Sequence, residues 1–444
     1  MSTLAAPPTT LGTEKNNSFD QAADTNSLIN ELSRLNTSIS KGDNAAKTRA
    51  LALSRQLTAS LIEPVDAASS MIFQPFISFA VQTAVRLDVF SRLIQQQARQ
   101  DNNAVSTNAL SVVCNNAEPL LLSRILRVLS SLNYISEGSE PETWLANPTT
   151  HAFAIPAIAA GHRFVWDIQV PGTACAPKFL EETNYVCPTS ANDGFIQYAH
   201  STKYDVFEYM ARIRPDRLQD FHTFMGNTMG SRSYWVDWYP VQEQILSGYD
   251  SSTTLLVDVG GGKGHDLLSF ADRFPSTENQ EVSTPRLILQ DLPSALCTIS
   301  PSARDPRIHY QAQDFFQPNA VHGARVYFLH HILHDWSEAY ALKILRNLKS
   351  VMKPGYSKLL IHDLVLPNNG ASQFQAAFDM VMMTFNAGIE RSRAQWDELL
   401  KKAGLRLEGI WHGEGGEDAD GIVQAVVDMD DARETEEYRG PSFR

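Results

Sequence analysis

The chain has 444 residues and is 43% hydrophobic, enough to bury two ordinary cores, so a two-domain globular protein is expected. Its formal net charge of −13 disfavours nucleic acid or an anionic membrane surface as partner, since both are held by clustered Lys and Arg. The most apolar window, Met71 to Phe90, is broken by Gln74, Gln82, Arg86 and Asp88, so it reads as a packed helix and not as a membrane span.

Residues 1–25 are rich in Ser, Thr, Ala, Pro and Asn and are expected to be a disordered tail. The start of the chain carries neither a basic n-region nor an apolar h-region, which predicts a cytoplasmic protein. Cys114, Cys175, Cys187 and Cys297 lie far apart, without the close pairs of a zinc site or the density of a disulfide scaffold.

The region 26–240 reads as mostly helical. Leu28, Ile29, Leu32, Leu35 and Ile39 recur at helical steps, as do Leu53, Leu57 and Leu61. From Ser69 to about Pro148 an apolar helix, a polar turn and two more helices precede short extended pieces, Asn133–Ser136 and Thr143–Leu145, around Gly138. That order predicts a winged-helix-like module, read as structural or dimerising because the chain is too acidic for DNA. Ala159 to Val241 is again helical and rich in aromatics, which are core at this spacing; His222, Phe224, Met225 and Met229 are a lesser candidate for a pocket lining.

Over 241–428 apolar runs alternate with helical segments. Strands are predicted at Leu255–Val259, Leu287–Leu289, Ile308–Ala312, Arg325–Leu329, Lys358–His362, Leu405–His412 and Gly421–Val427. Helices are predicted at Asp266–Arg273, Leu292–Ile299, Ser337–Val351, Phe374–Phe385 and Ser392–Ala403. The alternation gives an α/β Rossmann-like domain with a mostly parallel sheet, and the last two strands form an antiparallel hairpin at its edge. Residues 429–444 read as a charged tail.

In such a sheet ligands sit beyond the carboxyl ends of the strands. The first strand runs into Asp258-Val-Gly260-Gly261-Gly262-Lys-Gly264, a glycine turn opening a helix, where the backbone approaches a ligand closely. Its spacing departs from the G-x-G-x-x-G of dinucleotide sites. The second strand ends at Asp291, whose carboxylate suits a pair of ribose hydroxyls; the third ends at Asp314 and Phe315, which suit an exocyclic amine and a purine face. Each acid alone is more often a helix N-cap, but three at successive strand ends after a glycine loop are less easily explained that way. The fourth strand leads into His330-His331-Ile-Leu-His334-Asp335-Trp336-Ser337, which lacks metalloprotease spacing, so no metal is expected. One histidine there suits a general base, with Asp363 and Glu390 as candidate orienting carboxylates.

Together, Leu256-Val-Asp-Val-Gly-Gly-Gly-x-Gly264, Gln290-Asp291-Leu-Pro293, Asp314-Phe315, His334-Asp335-Trp336-Ser337 and Gly388-x-Glu390-Arg391 resemble the plant and fungal S-adenosylmethionine-dependent O-methyltransferases of the caffeic-acid type. The resemblance covers roughly residues 70–428. It implies an N-terminal winged-helix-like dimerisation domain before the Rossmann-like methyltransferase domain, a homodimer, S-adenosylmethionine as cofactor, and a small hydroxylated metabolite as substrate. It also implies His334 as base flanked by Asp363 and Glu390, with Asp258, Gly260, Gly261, Gly262, Asp291, Asp314, Phe315 and His330 at the cofactor. Two positions depart from the family pattern. Asp363 stands where Glu is common, and His330 stands where Lys or Arg often meets the cofactor. A rival reading is dehydration or pericyclic chemistry on the same scaffold with the cofactor retained, although relatives of that kind tend to replace the histidine.

Overall fold

The computed structural model describes residues 25–226, 234–275, 286–413 and 419–427, in two compact units, 1–79 and 80–444. The expected tails at both ends, apart from Thr25, lie outside the described residues, as do Met229 and residues 276–285.

In the first unit the two amphipathic repeats are helices, Thr25–Ser40 and Asn44–Leu61, with Leu28 and Leu53 buried. Asp43 caps the second helix by accepting from the amide of Ala46. The helix Pro64–Arg86 follows and runs across the boundary between the units.

The second unit begins with the helices Val89–Arg99, Thr107–Val113 and Pro119–Ser131 and a small antiparallel sheet. Its strands β1 (Val105–Ser106), β2 (Ser136–Glu137) and β3 (Thr143–Leu145) lie in the order β1-β3-β2. Phe90, Leu93, Leu110, Leu126 and Trp144 fill its core, and the indole of Trp144 donates to Thr107 Oγ1 at 2.8 Å. The two extended pieces expected around Gly138 are β2 and β3, and β1 joins them; two residues carry no periodicity by which to foresee it.

The main sheet contains β4 (Leu256–Val259), β5 (Leu287–Asp291), β6 (Ile308–Ala312), β7 (Val326–His330) and β8 (Lys358–Asp363), all parallel. After β8 come a two-residue parallel pairing of β9 (Val365–Leu366) with β10 (Arg391–Ser392), and then β11 (Leu405–His412) and β12 (Gly421–Val427). The order β11-β12-β8-β7-β4-β5-β6 inserts β12 antiparallel between β11 and β8, so the predicted hairpin closes one edge. β4, β5, β7 and β8 are buried on both faces, which is why they read as largely apolar runs; β6, at the edge, buries only Ile308. One predicted helix is shorter than expected. Leu292–Ile299 reduces to Pro293–Leu296, and Pro301 opens a separate turn, because a residue before proline is disfavoured in the helical region.

Register places the site. His330 pairs with His362, and Gly421 with Asp363, so the ends of β7 and β8 and the entry to β12 meet at one end of the sheet. The helix Gln373–Asn386 is held over this end by Phe385, whose ring packs against Phe164, Phe207 and Phe221, and by Asn386, whose side-chain oxygen accepts from the amide of Val206.

Candidate active site

The turn after β4 is built for close approach. Gly260, Gly262 and Gly264 adopt positive φ (78°, 57° and 80°), the region glycine enters without strain. A Cβ at Gly261 would stand 2.2 Å from Asp258 Oδ2, and one at Gly260 would stand 2.7 Å from the Ile332 side chain and 3.6 Å from the ring of Phe315. Asp258 is buried, and neither of its oxygens has a hydrogen-bond partner; burial, then the nearby Asp266 and Asp291, push its carboxyl well up. Asp291 accepts from the amides of Gly262 (2.8 Å) and Leu292 (2.6 Å), so its carboxylate lies against the glycine turn. Asp314 accepts from the amide of Phe316 at 2.8 Å.

At the end of β7 the chain makes a left-handed turn at His331 (φ 52°) and a single tight helical turn, Leu333–Asp335. These bring His330, His331 and His334 together with His362 of β8. His330 lies 4.0 Å from His362 ring to ring, and His331 lies 4.9 Å from His334 at 21° between planes. The first three each face an acid. His330 Nδ1 is 2.8 Å from Asp266, His331 Nε2 is 3.2 Å from Asp420, and His334 Nδ1 is 2.7 Å from Glu390 Oε1.

Glu390 is held against His334 by the segment around it. A Cβ at Gly388 would stand 2.2 Å from the carbonyl oxygen of His334, while the amide of Ile389 donates to that same oxygen at 2.9 Å. The Glu390 amide donates to Asp379. Arg391, fully buried, donates to Glu338 and to the carbonyls of Leu333, Trp336 and Ile389, stapling the two segments together. Ser337 is the N-cap residue by position, but its hydroxyl donates to the carbonyl of Thr189 instead of capping the helix Glu338–Lys349.

Burial governs the charges. It depresses His334, so the imidazole is neutral near neutral pH, and it lifts Glu390 to about 8, Asp335 to about 7 and Asp363 to about 6. His331 goes the other way: burial opposes its charge, but Asp420, then Asp363 and Glu390, lift it to about 9.

Residues 204–406 match the O-methyltransferase domain family. The chain is 40% identical over 389 residues to the O-methyltransferase penC of Penicillium thymicola, covering 87% of this chain and 92% of that one. The chain belongs to the S-adenosylmethionine-dependent O-methyltransferase family. Among solved structures it is similar to LepI in complex with SAM (TM-score 0.78, 25% identity, 92% of this chain and 100% of that chain). It is also similar to a protein described as a pericyclic reaction enzyme (TM-score 0.78, 25% identity, 90% of this chain and 98% of that chain).

The methyltransferase presents a cradle that suits S-adenosylmethionine: two glycines, Gly260 and Gly261, where a Cβ would clash, and two orphaned oxygens of a buried acid beside them. Asp258, Gly260, Gly261, Gly262, Asp291 and Phe315 come together there, and His330 flanks them through Asp266 at the start of the helix His265–Arg273. Of the two candidate partners for His334, Glu390 makes the hydrogen bond. Asp363, one methylene shorter than the family's usual residue, has both oxygens without a partner and acts on His334 through its charge alone. His222 is half-buried close enough to feel Lys263 of the glycine turn, whereas Phe224 packs against Gly161.

Sequence reading passed over His331, His362, Asp266, Asp420 and the clamping role of Arg391. Only Arg391 had a signal, its place beside Glu390 in a recognised segment. Among the described residues His330, His331 and Asp420 bring donor atoms within 4.8 Å of one another, a spacing open to a metal ion, but each imidazole already faces a carboxylate.

Proposed function

We propose that the protein methylates a hydroxyl oxygen of a small phenolic or polyketide-like secondary metabolite, with His334 as general base. The arrangement of His334 carries this reading: Nδ1 is engaged by Glu390 at 2.7 Å, while Nε2 lies 3.7 Å from Asp335, beyond hydrogen-bond reach, and is the nitrogen left to take a proton. The bound cofactor supplies a methyl group already activated by its positive sulfur. What remains for the chain is to align a hydroxyl and remove its proton. His334 Nε2 would accept that proton, and the imidazolium produced would be held by Glu390, with Asp363 and Asp335 close by.

We assign Asp258 and Gly260, Gly261 and Gly262 to the cofactor's amino-acid and sugar portions, Asp291 to the ribose hydroxyls, Asp314 to the adenine amine and Phe315 to its face. His330 takes the cofactor contact that Lys or Arg makes in relatives. Incubation with labelled S-adenosylmethionine and a panel of phenols and hydroxylated polyketides tests the reading. His334→Ala is expected to lose at least about 100-fold in rate, the usual contribution of a general base. Full activity in that variant would remove His334 from its role. Asp291→Ala is expected to weaken cofactor binding by about 1.5–3 kcal/mol, as for a charged hydrogen-bonding group.

A second reading, dehydration or pericyclic chemistry with the cofactor held but unused, is favoured by the structural likeness to a pericyclic reaction enzyme. Turnover of a substrate without methyl transfer would select it. The intact His334–Glu390 pair supports methyl transfer.

The proposal extends to a cytoplasmic homodimer. Leu61, Val65, Met71, Ile72, Phe73 and Phe76 are all more than half exposed, an apolar surface that a second copy would cover. The four unpaired cysteines suit a reducing compartment, and among the described residues no helix is long and apolar enough to cross a membrane.

A further inference from the structure

The mechanism above uses His334 and leaves its neighbour His331 without a task, although His331 is the more elaborately placed of the two. Its backbone is left-handed, a conformation that strains a non-glycine residue and persists where the surrounding structure imposes it. The His331 amide donates to the carbonyl of His362, which fixes the turn, and the turn lays the His331 ring parallel to that of His334. The His331 side chain is 26% exposed against 5% for His334, so it stands nearer the opening of the site than the base does.

Its Nε2 is buried and 3.2 Å from Asp420 Oδ2, close enough for an ion pair. With Nε2 turned to that carboxylate, Nδ1 is the ring nitrogen left to donate to a ligand. Asp420 is carried there by the pairing of β12 with β8, not by its neighbours in sequence. The groups facing His331 are Asp420 at the entry to β12, Asp363 at the end of β8, Glu390 from the segment before β10, and the imidazoles of His330 and His334.

We propose that His331, oriented by Asp420, is a substrate-binding residue that selects acceptors carrying a second oxygen next to the hydroxyl to be methylated. The favoured class is an enol or phenol adjacent to a carbonyl or to another hydroxyl. His334 takes the proton from one oxygen while His331 donates to its neighbour and stabilises negative charge that spreads onto it. Asp420 is a positioning residue acting through His331. This inference rests on the methyl-transfer reading of the same site.

The test uses the full chain and a matched pair of probes, 3-hydroxyflavone, whose hydroxyl adjoins a carbonyl, and 7-hydroxyflavone, whose hydroxyl stands alone. The wild type is expected to favour the first by at least about tenfold in kcat/KM, the worth of one charge-assisted hydrogen bond. His331→Asn, which tolerates the left-handed backbone, is expected to bring the preference within about threefold, mainly through KM for 3-hydroxyflavone. Asp420→Asn shifts the preference in the same direction, and the double variant is no worse than His331→Asn alone. Thermal melting and S-adenosylhomocysteine binding serve as controls that each variant is folded. A wild type without preference, or a preference that survives His331→Asn, overturns the proposal. So does a preference abolished by EDTA and restored by zinc, which would assign His330, His331 and Asp420 to a metal ion. His334→Ala separates the two readings: it stops transfer to both probes if the base is right. Turnover of either probe unimpaired in that variant would refute the base assignment while leaving the His331 preference to stand or fall on its own ratio.

Discussion

Replacing Glu390 by Gln isolates what the carboxylate contributes, because the amide keeps the shape of a protonated carboxyl. Burial lifts Glu390 to about 8, so a proton occupies it below that pH and the carboxylate appears above it. With that value, about one-tenth of the wild-type protein carries the carboxylate at pH 7 and about nine-tenths at pH 9. A hydrogen bond to a charged group is worth about 1.5–3 kcal/mol against about 0.5–1.5 for a neutral one. Support for the imidazolium forming on His334 should therefore improve by about 1–1.5 kcal/mol on ionisation, about tenfold in rate. Methyl transfer by the wild type is expected to rise through pH 8, and Glu390→Gln to lack that limb: near wild-type rates at pH 6.5, about tenfold slower at pH 9. Single-turnover transfer of labelled methyl from saturating S-adenosylmethionine measures it, and the wild-type to variant ratio cancels the acceptor's own ionisation. A ratio constant from pH 6.5 to 9 would refute the reasoning.

Gly261→Ala forces a Cβ to within 2.2 Å of Asp258 Oδ2, and is expected to cost about 1–3 kcal/mol in denaturant unfolding together with most of the cofactor affinity. Arg391→Ala removes a fully buried guanidinium from three carbonyls and Glu338; a loss of about 3–5 kcal/mol in the same assay is expected, and a loss under about 1 kcal/mol would mean the staple is dispensable. Asp363→Asn should stabilise the protein at high pH. Its carboxyl is lifted from 3.8 to about 6 in the fold, so its ionised form carries a penalty of up to about 3 kcal/mol above pH 6 that fades as pH falls toward 3.8. Melting temperatures of the two proteins converging at pH 4 and parting at pH 8 is the expected pattern; a constant difference would exclude the titration of Asp363 as its source.

Four of the parallel strands, β4, β5, β7 and β8, were legible because they are buried on both faces and so appear as largely apolar runs. The glycine turn was legible for a related reason, since close approach to Asp258 and Ile332 leaves room for no side chain. His334 and Glu390 are 56 residues apart in sequence, and motif resemblance brought them together before any distance was known.

Sequence alone thus determined the sheet and the cofactor turn, both written in local patterns of side-chain size and polarity, and by resemblance it pointed to His334, the base proposed above. It left open which carboxylate orients His334, since Asp363 and Glu390 both end up buried near it. The tertiary structure decided for Glu390 through the Gly388 approach and the Arg391 staple. The structure alone brought Asp420 to His331, because that meeting depends on the register of β12 against β8, and strand register is set by a whole packed face rather than by any segment read singly.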